Sequence, residues 1–161
     1  ALEAAQLSSY ATAILSVGTI LGALFTPWMC EKFGRRGALG IFFVLMFIFI
    51  IAAFGVVFYM QGDVIPLFMA CLFFLGLGGA NFAVYSLWLP EQYATEMRGS
   101  AFAIVTSGTR FIGAAISFLV GAGVSYFGTI GTPVALTSIA FAIGLLLLPL
   151  GYETKGKELP K

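Results

Sequence analysis

Charge is missing from this chain over distances that a water-exposed fold does not tolerate. Residues 4–30, 37–62, 64–90, 99–109 and 111–152 contain no Asp, Glu, Lys or Arg, in runs of 27, 26, 27, 11 and 42 residues. A bilayer core about 30 Å thick is crossed by roughly 20 apolar residues. Each of the first three runs is therefore one crossing long. The last is interrupted by Phe127-Gly128-Thr129-Ile130-Gly131-Thr132-Pro133, a cluster of turn-forming residues. The pattern predicts an all-α membrane protein with five transmembrane helices, at residues 6–30, 39–60, 66–89, 100–127 and 134–151, and a polar tail 152–161. Buried helices of soluble proteins seldom run this long without a charge. The first segment is too long for a signal peptide and lacks a basic leader and a small-residue cleavage pattern. The chain opens almost inside a helix without an initiator Met, so a fragment of a longer membrane protein is expected.

Composition narrows the function. The chain is 60% hydrophobic and 9% charged, with mean hydropathy +1.04, whereas soluble domains carry roughly a quarter charged residues. This excludes a soluble enzyme, a disordered tail and a disulfide scaffold. There is no histidine, which removes imidazole general bases and His metal clusters. No nucleophile and base are paired in the sequence, so an enzyme is not expected, and neither is a cofactor or a metal. A net charge of +1 argues against nucleic acid as a partner. Cys30 and Cys71 lie in separate apolar runs and carry no redox signal.

Seven of the eight basic residues, Lys32, Arg35, Arg36, Arg98, Lys155, Lys157 and Lys161, fall in alternate loops or the tail. Five alternating helices put all seven on one side, which the positive-inside rule makes cytoplasmic. An integral multi-pass protein of the plasma (inner) membrane, with a cytoplasmic C-terminus, is expected.

The helices differ in polarity. Residues 39–60 and 134–151 are almost wholly apolar and are expected to face lipid or lie at the periphery. The first helix carries Gln6, Tyr10 and a Ser9/Thr12/Ser16/Thr19 stripe. The third carries Asn81, Tyr85 and Trp88 at i, i+4, i+7. The fourth carries Thr106, Arg110 and Ser117 along one side. Polar groups in hydrocarbon require protein or water partners, so these three faces are expected to converge. Gln6, Tyr10, Asn81, Tyr85 and Arg110 are the candidate substrate-binding residues, with hydrogen-bonded helix packing as the competing role for Asn81 and the Ser/Thr stripe. Gly18 and Gly22 form G-x-x-x-G, and Gly113, Ser117, Gly121 and Ser125 form a small-residue ridge; both permit close packing.

Arg110 is the sharpest signal. A mid-membrane Arg costs about 2.5–3.5 kcal/mol even on the lenient insertion scale. No acidic residue lies within the five helices except Glu3 at the extreme start. Its partner is then a bound anion, carbonyls and water, or an acid elsewhere in a longer protein.

Three loop motifs follow the helices: Gly34-Arg35-Arg36, then Pro90-Glu91-Gln92-Tyr93-Ala94-Thr95-Glu96-Met97-Arg98-Gly99, then Glu153-Thr154-Lys155-Gly156-Lys157-Glu158-Leu159-Pro160. In this order and spacing they resemble the cytoplasmic motifs of the major facilitator superfamily. The resemblance covers the whole chain and implies that its helices are the family's helices eight to twelve, part of a C-terminal six-helix bundle. Helix seven and an N-terminal half would complete the transporter. It also implies peripheral ninth and twelfth helices and a cavity lined by the eighth, tenth and eleventh. Ala94 and Tyr152 stand where the family's sugar carriers usually have Pro. The segment Thr106 to Gly113 looks more like the metabolite:proton symporter branches.

What the resemblance implies is alternating-access, proton-coupled symport of a small organic anion, a carboxylate. The alternatives are a sugar or polyol carrier, or a non-transporting membrane fragment. The partners expected are membrane lipid, the N-terminal half and an anionic substrate. A cytoplasmic gate of Arg35, Arg36, Glu91, Glu96, Arg98 and Glu153 is also implied, in which Arg35 or Arg36 pairs with Glu91 and Glu153 joins them.

Overall fold

Apolar backbone in hydrocarbon must satisfy its hydrogen bonds internally, and this chain does so with helices. The computed structural model describes residues 2–157; Glu158 to Lys161 of the tail motif lie outside the described residues. Six α-helices follow in order: α1 (Leu2–Ile50), α2 (Ile65–Gly79), α3 (Asn81–Glu91), α4 (Arg98–Phe127), α5 (Gly131–Leu136) and α6 (Ser138–Leu147). A π-helical turn, Ile51–Val56, and a 3-10 turn, Val57–Tyr59, extend α1. α2 and α3 form one continuous rod, as do α5, α6 and the turn Leu148–Leu150.

Among the described residues four tracts are long and apolar enough to cross a membrane, and the first, Leu2–Tyr59, has 58 residues. At about 1.5 Å per residue a straight helix of that length is roughly 87 Å long, nearly three times a bilayer core. It is not straight. Gly34, at φ 81 and ψ 170, breaks it. Contacts on α2 and α3 give the direction of each limb. Gly18 and Gly22 of the first limb pack on Phe73, Leu77 and Ala80, rising in register with α2. In the second limb Phe43 lies beside Tyr85, Met46 beside Gly78, and Ile50 among Leu72 and Leu75, in falling register. The limbs are antiparallel, so the tract is a hairpin turned by one residue.

The expected loop 31–38 is therefore corrected: helix runs through it on both sides of Gly34. The reason is that a glycine at positive φ reverses the chain without a polar connector. Pro90, which opens the second loop motif just after the expected helix 66–89, lies inside α3 one residue before Glu91.

Packing corrects a second expectation. The second limb of α1, read as peripheral, is central among the described residues. Ala38, Leu39, Phe42, Phe43, Ile50, Ala53 and Val57 are buried between α2, α3 and α6, while Ile41, Val44 and Ile48 remain exposed. An apolar side chain satisfies lipid and protein equally, so apolarity alone cannot separate the two. Conversely, α4 buries no residue. Its Thr106 and Ser117 hydroxyls bond carbonyls of their own helix, and a Cβ at Gly113 or Gly121 would meet open space. The three polar faces do not converge into one core. The Gly18/Gly22 seam does close: a Cβ at Gly22 would stand 2.6 Å from the Leu77 carbonyl oxygen and 2.7 Å from Ala80 Cβ. Thr19 crosses the same seam, donating to Leu15 O at 3.0 Å or Gly76 O at 3.1 Å.

Candidate functional site

Two polar features stand out: one joins α1, α3 and the tail, the other lies between α3 and α4. The first gathers at the basic end of the bundle. Breaking α1 at Gly34 creates a new helix start, where backbone N–H groups lack intrahelical acceptors. Glu153, just past the last span, fills that position. Its Oε1 accepts the Arg35 N–H at 3.0 Å and the Lys155 N–H at 3.1 Å, and its Oε2 accepts the Arg36 N–H at 3.0 Å. An anion at a helix N-terminus also meets the positive end of the helix dipole. Burial pushes the Glu153 carboxyl up, but backbone N–H donors from Arg35, Arg36, Lys155 and Thr154 outweigh it and hold the group below the usual carboxylate range.

Arg35 then turns its side chain to Glu91 at the end of α3. Nη2 reaches Oε1 at 2.8 Å and Nε reaches Oε2 at 3.1 Å, a two-point fork. The two side chains are 21% and 19% exposed, so solvent screens the pair only in part. The buried Thr154 hydroxyl donates to Glu91 Oε2 as well. One residue network thus joins α1, α3 and the tail. Trp88 anchors the tail independently, its Nε1–H donating to Tyr152 O at 2.8 Å. Gly151 lies so close to the indole that a Cβ there would stand 2.5 Å from it. Lys155 Nζ donates to Lys32 O at 3.1 Å, and Lys32 Nζ sits 4.9 Å above the Trp28 ring.

Of the other gate candidates, Arg36 joins this network through its backbone N–H to Glu153. The Arg36 side chain lines a cleft with Phe33, Leu145, Leu148 and Glu153. Arg98 donates from Nε to Tyr93 O at 3.0 Å. Glu96 is exposed on the loop. Sequence reasoning passed over Thr154, Trp88 and Gly34 as working parts. A glycine set among charged residues between two apolar runs was the readable signal for the last of these.

The second feature is a groove of about 590 Å³ between α3 and α4. Tyr85 and Arg110 both line it, with Phe82, Ser86, Trp88 and Leu89 on one wall and Phe102, Val105, Thr106 and Thr109 on the other. Arg110 lies twelve residues after Arg98 on α4, roughly 18 Å along the axis. Among the described residues its guanidinium has no hydrogen bond and no ion pair. Asn81, one turn before Tyr85, is half-buried and is not among the lining residues. Gln6 and Tyr10 are exposed near the start of α1 and do not line it either. Among the described residues no group of His, Cys, Asp and Glu is arranged to hold a metal ion.

Comparison with known proteins bears on both features. The sequence model of a family described as Major Facilitator Superfamily matches residues 2–161. Inorganic phosphate transporter 1-2 of Oryza sativa subsp. japonica is 30% identical over 123 residues, which is 73% of this chain and 23% of the relative. The fold matches that of the proton:xylose symporter XylE bound to 6-bromo-6-deoxy-D-glucose, at a TM-score of 0.76 and 21% identity, covering 96% of this chain and 37% of that one. It also matches the inward-open xylose transporter XylE from E. coli, at a TM-score of 0.73 and 22% identity, covering 91% and 38%. The chain therefore spans well under half the length of these relatives.

Proposed function

We propose, from the premise that this chain belongs to the Major Facilitator Superfamily, that it supplies helices eight to twelve of an alternating-access transporter for a small organic anion. A protein of this family is an integral, multi-pass membrane protein. The observation that carries the anion reading is Arg110, a guanidinium with no partner among the described residues, on the wall of a groove mid-way along a membrane-length helix. An intramembrane cation is costly and marks a functional site by default. Its planar fork suits a carboxylate, held at two points in low dielectric.

In this reading Arg110 and Tyr85 hold the substrate. Asn81, Gln6 and Tyr10 join them only in a conformer where the first limb of α1 and α4 approach each other. The basic end faces the cytoplasm of the plasma membrane, and the Arg35, Glu91, Thr154 and Glu153 network closes that side while the cavity opens outward. An N-terminal half covers the exposed face of α4. Proton coupling uses the substrate carboxyl or an acid in that half, because no mid-span acid is present in this chain.

Uptake by the full-length protein tests the assignment. Arg110→Lys keeps the charge and loses the fork, so affinity for a carboxylate substrate falls at least tenfold, about 1.4 kcal/mol. Unchanged affinity removes Arg110 from the site. A second reading, inorganic phosphate as the anion, is favoured by the printed name of the rice relative at 30% identity. The same guanidinium would serve it.

A further inference from the structure

We infer that the groove beside Arg110 is built for an amphipathic monocarboxylate, with one carboxylate on an aromatic or otherwise apolar body. The inference rests on the transporter reading above and narrows its substrate. It comes from a census of polar hydrogens on the groove's side chains. Ser86 Oγ donates to Phe82 O at 3.0 Å, Thr106 Oγ1 to Phe102 O at 2.6 Å and Thr109 Oγ1 to Thr106 O at 2.9 Å. Trp88 Nε1–H is engaged by Tyr152 O, and Gln92 Nε2 reaches back to Trp88 O at 3.5 Å. Each hydroxyl has one hydrogen, so the three hydroxyls have none to offer a ligand.

Three side chains of the lining keep a free donor. The Arg110 guanidinium and the Tyr85 phenol keep their donors, and Gln92 retains one N–H at the groove's far end. The rest of the lining is carbon: Phe82, Leu89, Phe102, Val105 and the faces of Tyr85 and Trp88. A carboxylate takes the fork, and an apolar body removes its own surface and that of the wall from water. A polyol's hydroxyls could donate to the Ser86, Thr106 and Thr109 oxygens but would find donors for their own oxygens only at Arg110, Tyr85 and Gln92, so the groove suits a ligand whose polar group only accepts. Inorganic phosphate spreads its charge and oxygens on all sides, and one fork satisfies only one edge. Sites that mismatch a ligand's polar groups discriminate strongly against it.

Trp88 reports from inside the groove, so binding and transport can be read separately. In the full-length protein in which every tryptophan except Trp88 is replaced by Phe, the Trp88 fluorescence is titrated with benzoate, gluconate and inorganic phosphate. Uptake of the three is followed in proteoliposomes. Benzoate should change the Trp88 signal with an affinity at least about tenfold above that for the other two, and it should be the anion taken up. No Trp88 response to benzoate, or a stronger response to gluconate or phosphate, overturns the inference. If phosphate is then taken up, the transporter reading stands without it. Benzoate binding with no uptake of any of the three leaves the inference standing and removes the transporter reading.

Discussion

Gly34 and Glu153 fit together because one of them has no side chain. A Cβ added at Gly34 would stand 2.7 Å from Glu153 Oε2 and 3.0 Å from Cδ. The same residue holds φ 81 and ψ 170, where only glycine rests easily. The hairpin turn of α1 and the seat of the Glu153 carboxylate are thus one device.

Gly34→Ala meets both constraints at once. Backbone strain of about 1–3 kcal/mol adds to displacement of the carboxylate from the Arg35 and Arg36 N–H groups. Thermal unfolding of the detergent-solubilised protein should shift down by several degrees. An unshifted midpoint would mean that the turn relaxes without the glycine.

The Glu153 carboxyl gives a pH signature. Its folded pKa is depressed, so its contribution to stability is present above the unfolded value of about 4.3 and is lost as pH falls through the lower folded value. Glu153→Gln should flatten the acid limb of the stability profile and leave the slope above pH 6 unchanged. An acid limb as steep as that of the parent protein would show that other carboxylates set it.

The Arg35 and Glu91 fork is open to a charge swap. Glu91→Arg leaves two cations facing each other and should slow transport while membrane insertion persists. The double variant Arg35→Glu with Glu91→Arg should recover part of the rate, with a coupling energy of about 0.5–3 kcal/mol. A double variant no faster than the slower single one would show that the fork does not act as a gate. Thr154 and Glu153 stay in place in this test, so incomplete recovery is expected: Thr154 donates to Glu91 Oε2 and loses its acceptor.

Trp88→Phe keeps an aromatic ring but removes the donor to Tyr152 O together with part of the buried indole. Loss of one hydrogen bond of this kind destabilises by about 1 kcal/mol. Hydrogen exchange at the tail residues 152–157 should rise, while the α1 and α2 seam around Gly18 and Gly22 stays protected. Faster exchange at both places would mean that the indole supports the bundle rather than the tail.

The charge-free runs were enough to determine membrane-length helices, because hydrocarbon imposes one requirement on every residue of a span and a single Asp or Lys violates it visibly. The same logic exposed Arg110 and the one-sided distribution of basic residues. The motif order pointed to the superfamily, whose sequence model spans residues 2–161. What the sequence left open was which neighbour each apolar face meets. Leu39, Phe42 and Phe43 read as lipid-facing yet are buried against α3 and α6, while Ile116 and Leu119 of α4 are exposed. Lipid and protein interior are equally apolar, so only the packed geometry separates them. The tertiary structure also decided the partners at the basic end. Arg35 and Arg36 are adjacent and chemically alike, but the reversal at Gly34 aims one guanidinium at Glu91 and turns the other into the cleft beside Leu145. A contact across 56 residues of chain depends on where two helix ends finally stand, and no local spacing encodes that position.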